Sequence, residues 1–246
     1  MIKRILLCIV MLLIIAYLTI ATTVFSEKPA NRVCHKMEFA IKDTSNSRLI
    51  TKDEIDELLK QKGIYPVGKK MEDIESKTIE KILCAHPLIG NAECYKTAGD
   101  IVCIEINQRI PVLRIMSNNG DNYYIDAKGR IIPPGANCLV HLAIATGDVK
   151  KSFAMKELSQ FGSFLQNDPF WRSQIEQINV LQNNEIELVP RVGDHIVFLG
   201  KLDHFEAKLG KLKQFYEKAL NQVGWNKYAR ISMEFGNQII CTKKED

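Results

Sequence analysis

The 246-residue sequence has one long uncharged run, residues 5–25, and no second run like it. That excludes a polytopic membrane protein and leaves a single anchor or a leader. There is no glycine-rich phosphate loop, no G-x-S-x-G elbow and no H-E-x-x-H, so the familiar spacings for nucleotide binding, serine hydrolysis and zinc proteolysis are missing. Charge of one sign is also scarce. Lys+Arg 33 against Asp+Glu 29 leaves a formal +4, with acids mixed among the lysines, which reads as a solvated surface and not as a nucleic-acid footprint. Low-complexity stretches are absent, so a packed core is expected. None of the seven cysteines is spaced C-x-x-C, and Cys34-His35 and Cys84-Ala85-His86 lack the paired spacing of a structural zinc site. No metal or cofactor is expected.

The uncharged run itself sets the topology. About twenty apolar residues at helical rise match the hydrocarbon core of a bilayer. A cleavable signal has a shorter apolar stretch before a small-x-small site, and Val24-Phe25-Ser26 is a poor one. A retained anchor is the preferred reading. Lys3 and Arg4 precede it and Lys28 and Arg32 follow it, so the positive-inside bias is slight. A short tail before a large body fits the usual bitopic plan. Residues 1–4 are then cytoplasmic, 5–25 span the membrane, 26–32 link, and the body lies outside, where six cysteines meet an oxidising space. Cys8, inside the run, reads as an apolar filler or a lipidation site.

Residues 33–41 alternate, with Val33, Met37, Phe39 and Ile41 on one side and Cys34, Lys36 and Glu38 on the other, the pattern of a half-buried strand. Thr51 and Glu54 form a capping box, Ile50 and Ile55 a hydrophobic staple, and Ile55, Leu58 and Leu59 an apolar stripe ahead of Gly63. A second helix is expected over 74–85, ended by Pro87, and strands over 92–96 and 101–107. The order strand, helix, helix, strand, strand describes a small sheet with two helices on one face. If Ala98-Gly99 is a two-residue loop, Cys94 falls opposite Cys103 at a non-hydrogen-bonded position, and a Cys94–Cys103 disulfide is expected, with Cys34 as a competitor.

The second half is longer. Residues 123–132 read as a hairpin turning at Gly129, and 155–166 as a helix. Strands are expected over 175–181, 185–189 and 195–199, a long helix over 203–222, and two closing strands over 229–235 and 238–242 around Gly236-Asn237. The acids Asp53, Glu54, Asp56 and Glu57 sit on the wet side of a short helix and read as solvated charges. Asp194 and His195 are strand neighbours whose side chains point to opposite faces, so they make no dyad. No catalytic residue is assigned. An exported body without a reaction site suggests binding or scaffolding.

These features together resemble the bacterial cell-division family FtsQ/DivIB. The resemblance covers nearly the whole chain. The first unit, through His86-Pro87-Leu88-Ile89 and Asn91-Ala92-Glu93-Cys94, resembles a POTRA domain. Residues 104–112, from Ile104-Glu105-Ile106 to Ile110-Pro111-Val112, are similar to the family run I-x-V-x-E-x-x-P-V. Tyr124-Ile125-Asp126-Ala127-Lys128-Gly129 matches its hydrophobic-I-D-x-x-G hairpin. Residues 231–240 resemble its closing I-D-L-R-Y-x-N-Q-V-V hairpin, with Ser232 where Asp is common, Glu234 where Arg is common and Phe235 in place of Tyr.

The resemblance implies an α+β body: a POTRA-like domain over 33–110 and a mixed β-sheet domain with flanking helices over 111–246. It implies a non-enzymatic division protein of the inner membrane, at the septum, whose partners are FtsB/FtsL-type membrane proteins. In that family the last strand of the sheet receives a partner strand, and exposed edge backbone makes such pairing physically sensible. The matching positions are Met233, Glu234, Phe235, Gln238, Ile239, Ile240 and Cys241. Two other readings stay open: a POTRA-containing envelope assembly or secretion component, and a secreted enzyme with an unrecognised site.

Overall fold

The computed structural model describes residues 2–26, 32–42, 49–134, 141–236 and 238–244, and in the first helix the side chains of 9–21. That helix, α1 (Ile2–Ser26), takes residues 2–4 into its first turn. Most of the expected linker lies outside the described residues. Among the described residues no helix is long and apolar enough to cross a membrane. Over 9–21 the apolar side chains of α1 stand largely exposed.

The first folded unit runs β1 (Lys36–Ile41), α2 (Lys52–Gln61), α3 (Ser76–Cys84), β2 (Ile89–Lys96) and β3 (Ile101–Gln108). Its sheet has the order β1-β3-β2, with β1 parallel and β2 antiparallel to β3. Helix α2 begins where local chemistry demands it. The Thr51 hydroxyl accepts from the Glu54 N–H, and the Glu54 carboxylate accepts from the Thr51 N–H at 2.7 Å. Ile50 and Ile55 are both buried at that entry, as a staple requires. Ile55, Leu59, Ile79 and Leu83 of the helices pack on Val102, Ile104 and Ile106 of the central strand. Each such side chain contributes roughly 2 kcal/mol of transfer free energy. Gln108 closes the unit: its buried Oε1 accepts from Leu49 N at 2.7 Å and Ile50 N at 3.1 Å.

Two expectations for this unit need correction. Cys34 is buried, not on the polar side, because residues 33–34 pair with the 68–70 loop and leave the strand's alternation: Cys34 N–H donates to Lys69 O and Gly68 N–H to Cys34 O. The Cys94–Cys103 bridge is also overturned. The hairpin closes at Thr97 and Ile101, with Asp100 at φ 58, so the loop has three residues and not two. That one-residue slip pairs Cys94 with Ile104 and Tyr95 with Cys103. Successive residues face opposite sides of a sheet. Cys94 therefore points to the helices and Cys103 to the outer face, and both are free thiols.

The second unit is a nine-stranded mixed sheet of order β12-β11-β10-β9-β8-β7-β4-β5-β6. Its strands are β4 (Pro111–Ser117), β5 (Asn122–Asp126), β6 (Ile131–Ile132), β7 (Ile144–Gly147), β8 (Ile175–Val180), β9 (Ile186–Pro190), β10 (Ile196–Gly200), β11 (Tyr228–Ser232) and β12 (Ile240–Lys243). Two parallel neighbours, β7/β8 and β10/β11, are joined by helical crossovers, as parallel pairing requires. The first crossover is α4 (Lys151–Phe153), a π-helical turn Ala154–Leu158, α5 (Ser159–Asn167) and α6 (Pro169–Gln174). The second is α7 (Phe205–Phe215), a π-helical turn Tyr216–Leu220 and α8 (Asn221–Val223). Leu158, Phe161, Leu165, Leu209, Leu212 and Leu220 bury against Leu113, Ile115, Ile178, Leu188, Val197 and Ile231 of the sheet.

The turn after β5 explains why its residues take those identities. Asp126 is 4% exposed, and its carboxylate accepts from Lys128 N, Arg130 N and Arg130 Nε at 2.7–2.9 Å. Gly129 sits at φ 73, and a Cβ there would lie 1.8 Å from the Met155 carbonyl oxygen. The turn thus docks directly on the π-helical turn of the first crossover.

Candidate functional site

The nine-stranded sheet ends on β12, and among the described residues nothing pairs with its outer side. β12 runs antiparallel to β11, with Ser232↔Ile240, Ile231↔Cys241 and Arg230↔Thr242, then a bulge on β11 before Tyr228↔Lys243. The Lys244 N–H donates to Lys227 O at 3.2 Å and so points at β11. Backbone groups of a strand alternate in direction. Thr242 and Ile240 therefore also face β11, while Cys241 and Lys243 aim their N–H and C=O outward. These are the groups a further strand would engage.

The positions marked in the sequence do not all reach this rim. Met233 is 1% exposed and belongs to the core, its N–H donating to Phe198 O at 2.8 Å. It is withdrawn from the docking set, because a side chain already packed under β10 has nothing to offer a partner. Phe235 and Ile240 stand out at 50% and 43% exposure. Glu234 and Gln238 are exposed, and Ile239 and Cys241 are half-buried against the core. Partial burial pushes the Cys241 thiol pKa up.

A groove of about 340 Å³ runs beside the rim, lined by Lys211, Gln214, Phe215, Lys218, Gln238 and Ile239. The Lys211 ammonium donates to the Gly236 carbonyl and ties the groove to the β11–β12 connection. At the far end of the rim Lys244 pairs with Asp194 at 3.1 Å. On the open face beside it, Arg230 pairs with Glu187 at 2.7 Å and lies 4.6 Å over the Phe198 ring. Neither the groove nor these pairs carried a signal in the sequence, since their members are far apart along the chain.

The other strand edges are blunted. β6, at the opposite end of the large sheet, has only two residues. On β2 the Glu80 carboxylate accepts from the Cys94 N–H at 2.8 Å. β1 carries the Lys36–Glu38 ion pair at 2.8 Å along its edge. Short edges, covered amides and edge charges are the usual guards against unwanted pairing.

The residues considered for chemistry lie apart. Asp53, Glu54, Asp56 and Glu57 are on α2, with Glu54 spent in the capping box. His204 begins α7 at φ 48. His195 is buried, its Nε2 2.9 Å from the Tyr216 hydroxyl, and burial pulls its pKa down. Among the described residues no three His, Cys, Asp or Glu come together as metal ligands would.

Comparison with known proteins bears on both units. Residues 110–242 match the family described as FtsQ/DivIB, C-terminal related, and residues 32–107 match the POTRA-like domain. The chain is also 25% identical, over 189 residues, to a protein named cell division protein FtsQ from Rhodothermus marinus (strain ATCC 43812 / DSM 4252 / R-10). That similarity covers 72% of this chain and 68% of the other.

Proposed function

The chain belongs to the FtsQ/DivIB family, and from that membership we propose that it acts in cell division as a non-enzymatic, single-pass scaffold. Residues 5–25, uncharged throughout, form the membrane anchor. The POTRA-like unit and the nine-stranded unit project beyond it at the septum. The function is to hold partner membrane proteins of the FtsB/FtsL type. The partner supplies a strand that pairs with β12.

One observation carries this reading. Among the described residues nothing pairs with the outer side of β12, and exposed Phe235 and Ile240 stand beside it, whereas Glu80 takes an amide of β2 and β6 has only two residues.

The direction of the backbone groups gives a test. Proline at Cys241 or Lys243 removes an outward donor and spares the bonds to β11; proline at Thr242 removes an inward one. Cys241→Pro and Lys243→Pro are expected to abolish co-purification with an FtsB-like partner while Tm moves by only about 2–4 °C, the equivalent of a small surface change. Thr242→Pro is expected to lower Tm more. Full partner recovery by Lys243→Pro and Cys241→Pro would refute edge pairing.

A further inference from the structure

We propose that His195 is a proton-operated pin beneath the C-terminal edge: uncharged, it fits between β10 and the connection leading into β11, and charged, it forces that connection to move. The consequence for docking rests on the reading of β12 as the partner edge, but the switch itself does not.

The geometry is specific. His195 is 2% exposed and immediately precedes β10. Its Nε2 meets the Tyr216 hydroxyl at 2.9 Å, and its ring stacks near Tyr216 and Trp225 with centroids 5.5 and 6.3 Å away. The other ring nitrogen, Nδ1, is buried with no hydrogen bond of ordinary geometry. The Trp225 backbone favours the charged ring by hydrogen bonding, in a geometry short of a well-formed bond to Nδ1. Gly193, at φ 85, makes room for the ring: a Cβ there would lie 2.8 Å from Nδ1 and 3.1 Å from the Trp225 oxygen.

In the neutral ring one nitrogen carries hydrogen and the other does not. Whichever nitrogen carries that hydrogen, only Nε2 has a well-formed partner, the Tyr216 hydroxyl, and Nδ1 has none. Adding a proton creates an N–H and a charge in a buried place, and both must be satisfied. Either the Trp225 carbonyl swings into line or water enters. Both displace residues 224–227, which lead straight into Tyr228, the first residue of β11. The motion is passed on, because the Lys227 carbonyl accepts the Lys244 N–H at the end of β12.

The charged groups around the ring do not cancel this effect. Asp194 favours the charged ring and Lys244 opposes it, and the two are paired with each other at 3.1 Å. Arg191 in the same loop is taken by Glu176 at 2.8 Å. The Tyr216 hydroxyl is held neutral by burial, its pKa pushed far up. Burial is the largest influence and holds the ring's pKa below that of an ordinary histidine.

The test uses the full chain in detergent micelles, without a partner. Histidine NMR follows the protonation of His195 between about pH 8 and about pH 5, while amide protection factors are measured across residues 228–244. Tryptophan emission reports the Trp225 environment in parallel. The proposal expects protection in 228–244 to fall about tenfold with the same midpoint as His195, while β4 and β8 keep theirs. His195→Gln and His195→Phe should show no such step. Protection that stays level through the titration of His195, or an identical step in both variants, overturns it; if both variants fail to fold, the coincidence of midpoints in the unaltered chain decides. Loss of partner binding by the proline variants is a separate readout, so docking and switching can fail independently.

Discussion

Asp126 organises a tight turn with one carboxylate. It takes two backbone N–H groups and the Arg130 guanidinium while almost wholly buried. Removing it leaves those donors unpaired, so Asp126→Ala is expected to cost about 2–3 kcal/mol in urea unfolding, with no change in the slope of the transition. The I-D-x-x-G pattern was legible as a hairpin in the sequence, and the carboxylate's three bonds are the physical reason for the Asp. Met233 was not legible in the same way. Its neighbours Glu234 and Phe235 are exposed, and only the register of β11 on β10 decides that Met233 turns inward. The histidines add a pH dependence. Burial lowers the pKa of both His86 and His195. The unfolded chain then takes up protons that the folded chain refuses, so stability falls as pH drops below about 6.5 and levels once the folded histidines titrate. Urea midpoints are expected to be flat above about pH 7 and to decline toward pH 5. His86→Gln and His195→Gln together should flatten that decline.

At the scale of elements, local chemistry decided how much could be read ahead. The capping box and staple at 50–55 specify α2 within one turn of chain, and the structure has them as expected. α6 was missed although Asp168 caps it, accepting from Phe170 N and Trp171 N, and Pro169 fills its first position. That Asp-Pro signal was present, but six residues are too few for a periodic pattern. β7 was missed because its burial alternates over only four residues, Ile144-Ala145-Thr146-Gly147, too few and too small to show the pattern in the sequence. The Cys94–Cys103 expectation failed on one residue of loop length, since a positive φ at Asp100 accommodates a third loop residue. The structure makes the opposite prediction. The two thiols stay unbridged in the oxidised protein, mass spectrometry of the alkylated chain finds both modified after denaturation, and reductant leaves Tm unchanged. A Tm lowered by reductant together with a linked Cys94–Cys103 peptide would contradict the register.

For the whole molecule, the two units share a strategy of helices on one face of a sheet but treat their edges differently. The POTRA-like unit shields β2 with Glu80 and charges β1, while the large sheet tapers to two residues at β6 and, among the described residues, nothing pairs with the outer side of β12. The open edge was foreseeable from the family resemblance. The blunted ones were not, because each depends on groups brought together by tertiary structure. Partner docking on β12 depends on the outward amides of that one strand. Amide hydrogen exchange of the full chain, with and without an FtsB-like partner peptide, tests it most directly. Cys241 and Lys243 are expected to gain strong protection on binding, while Ile240 and Thr242, which face β11, change little. Protection that appears on β1 or β2, with Cys241 and Lys243 exchanging as fast as before, would contradict it.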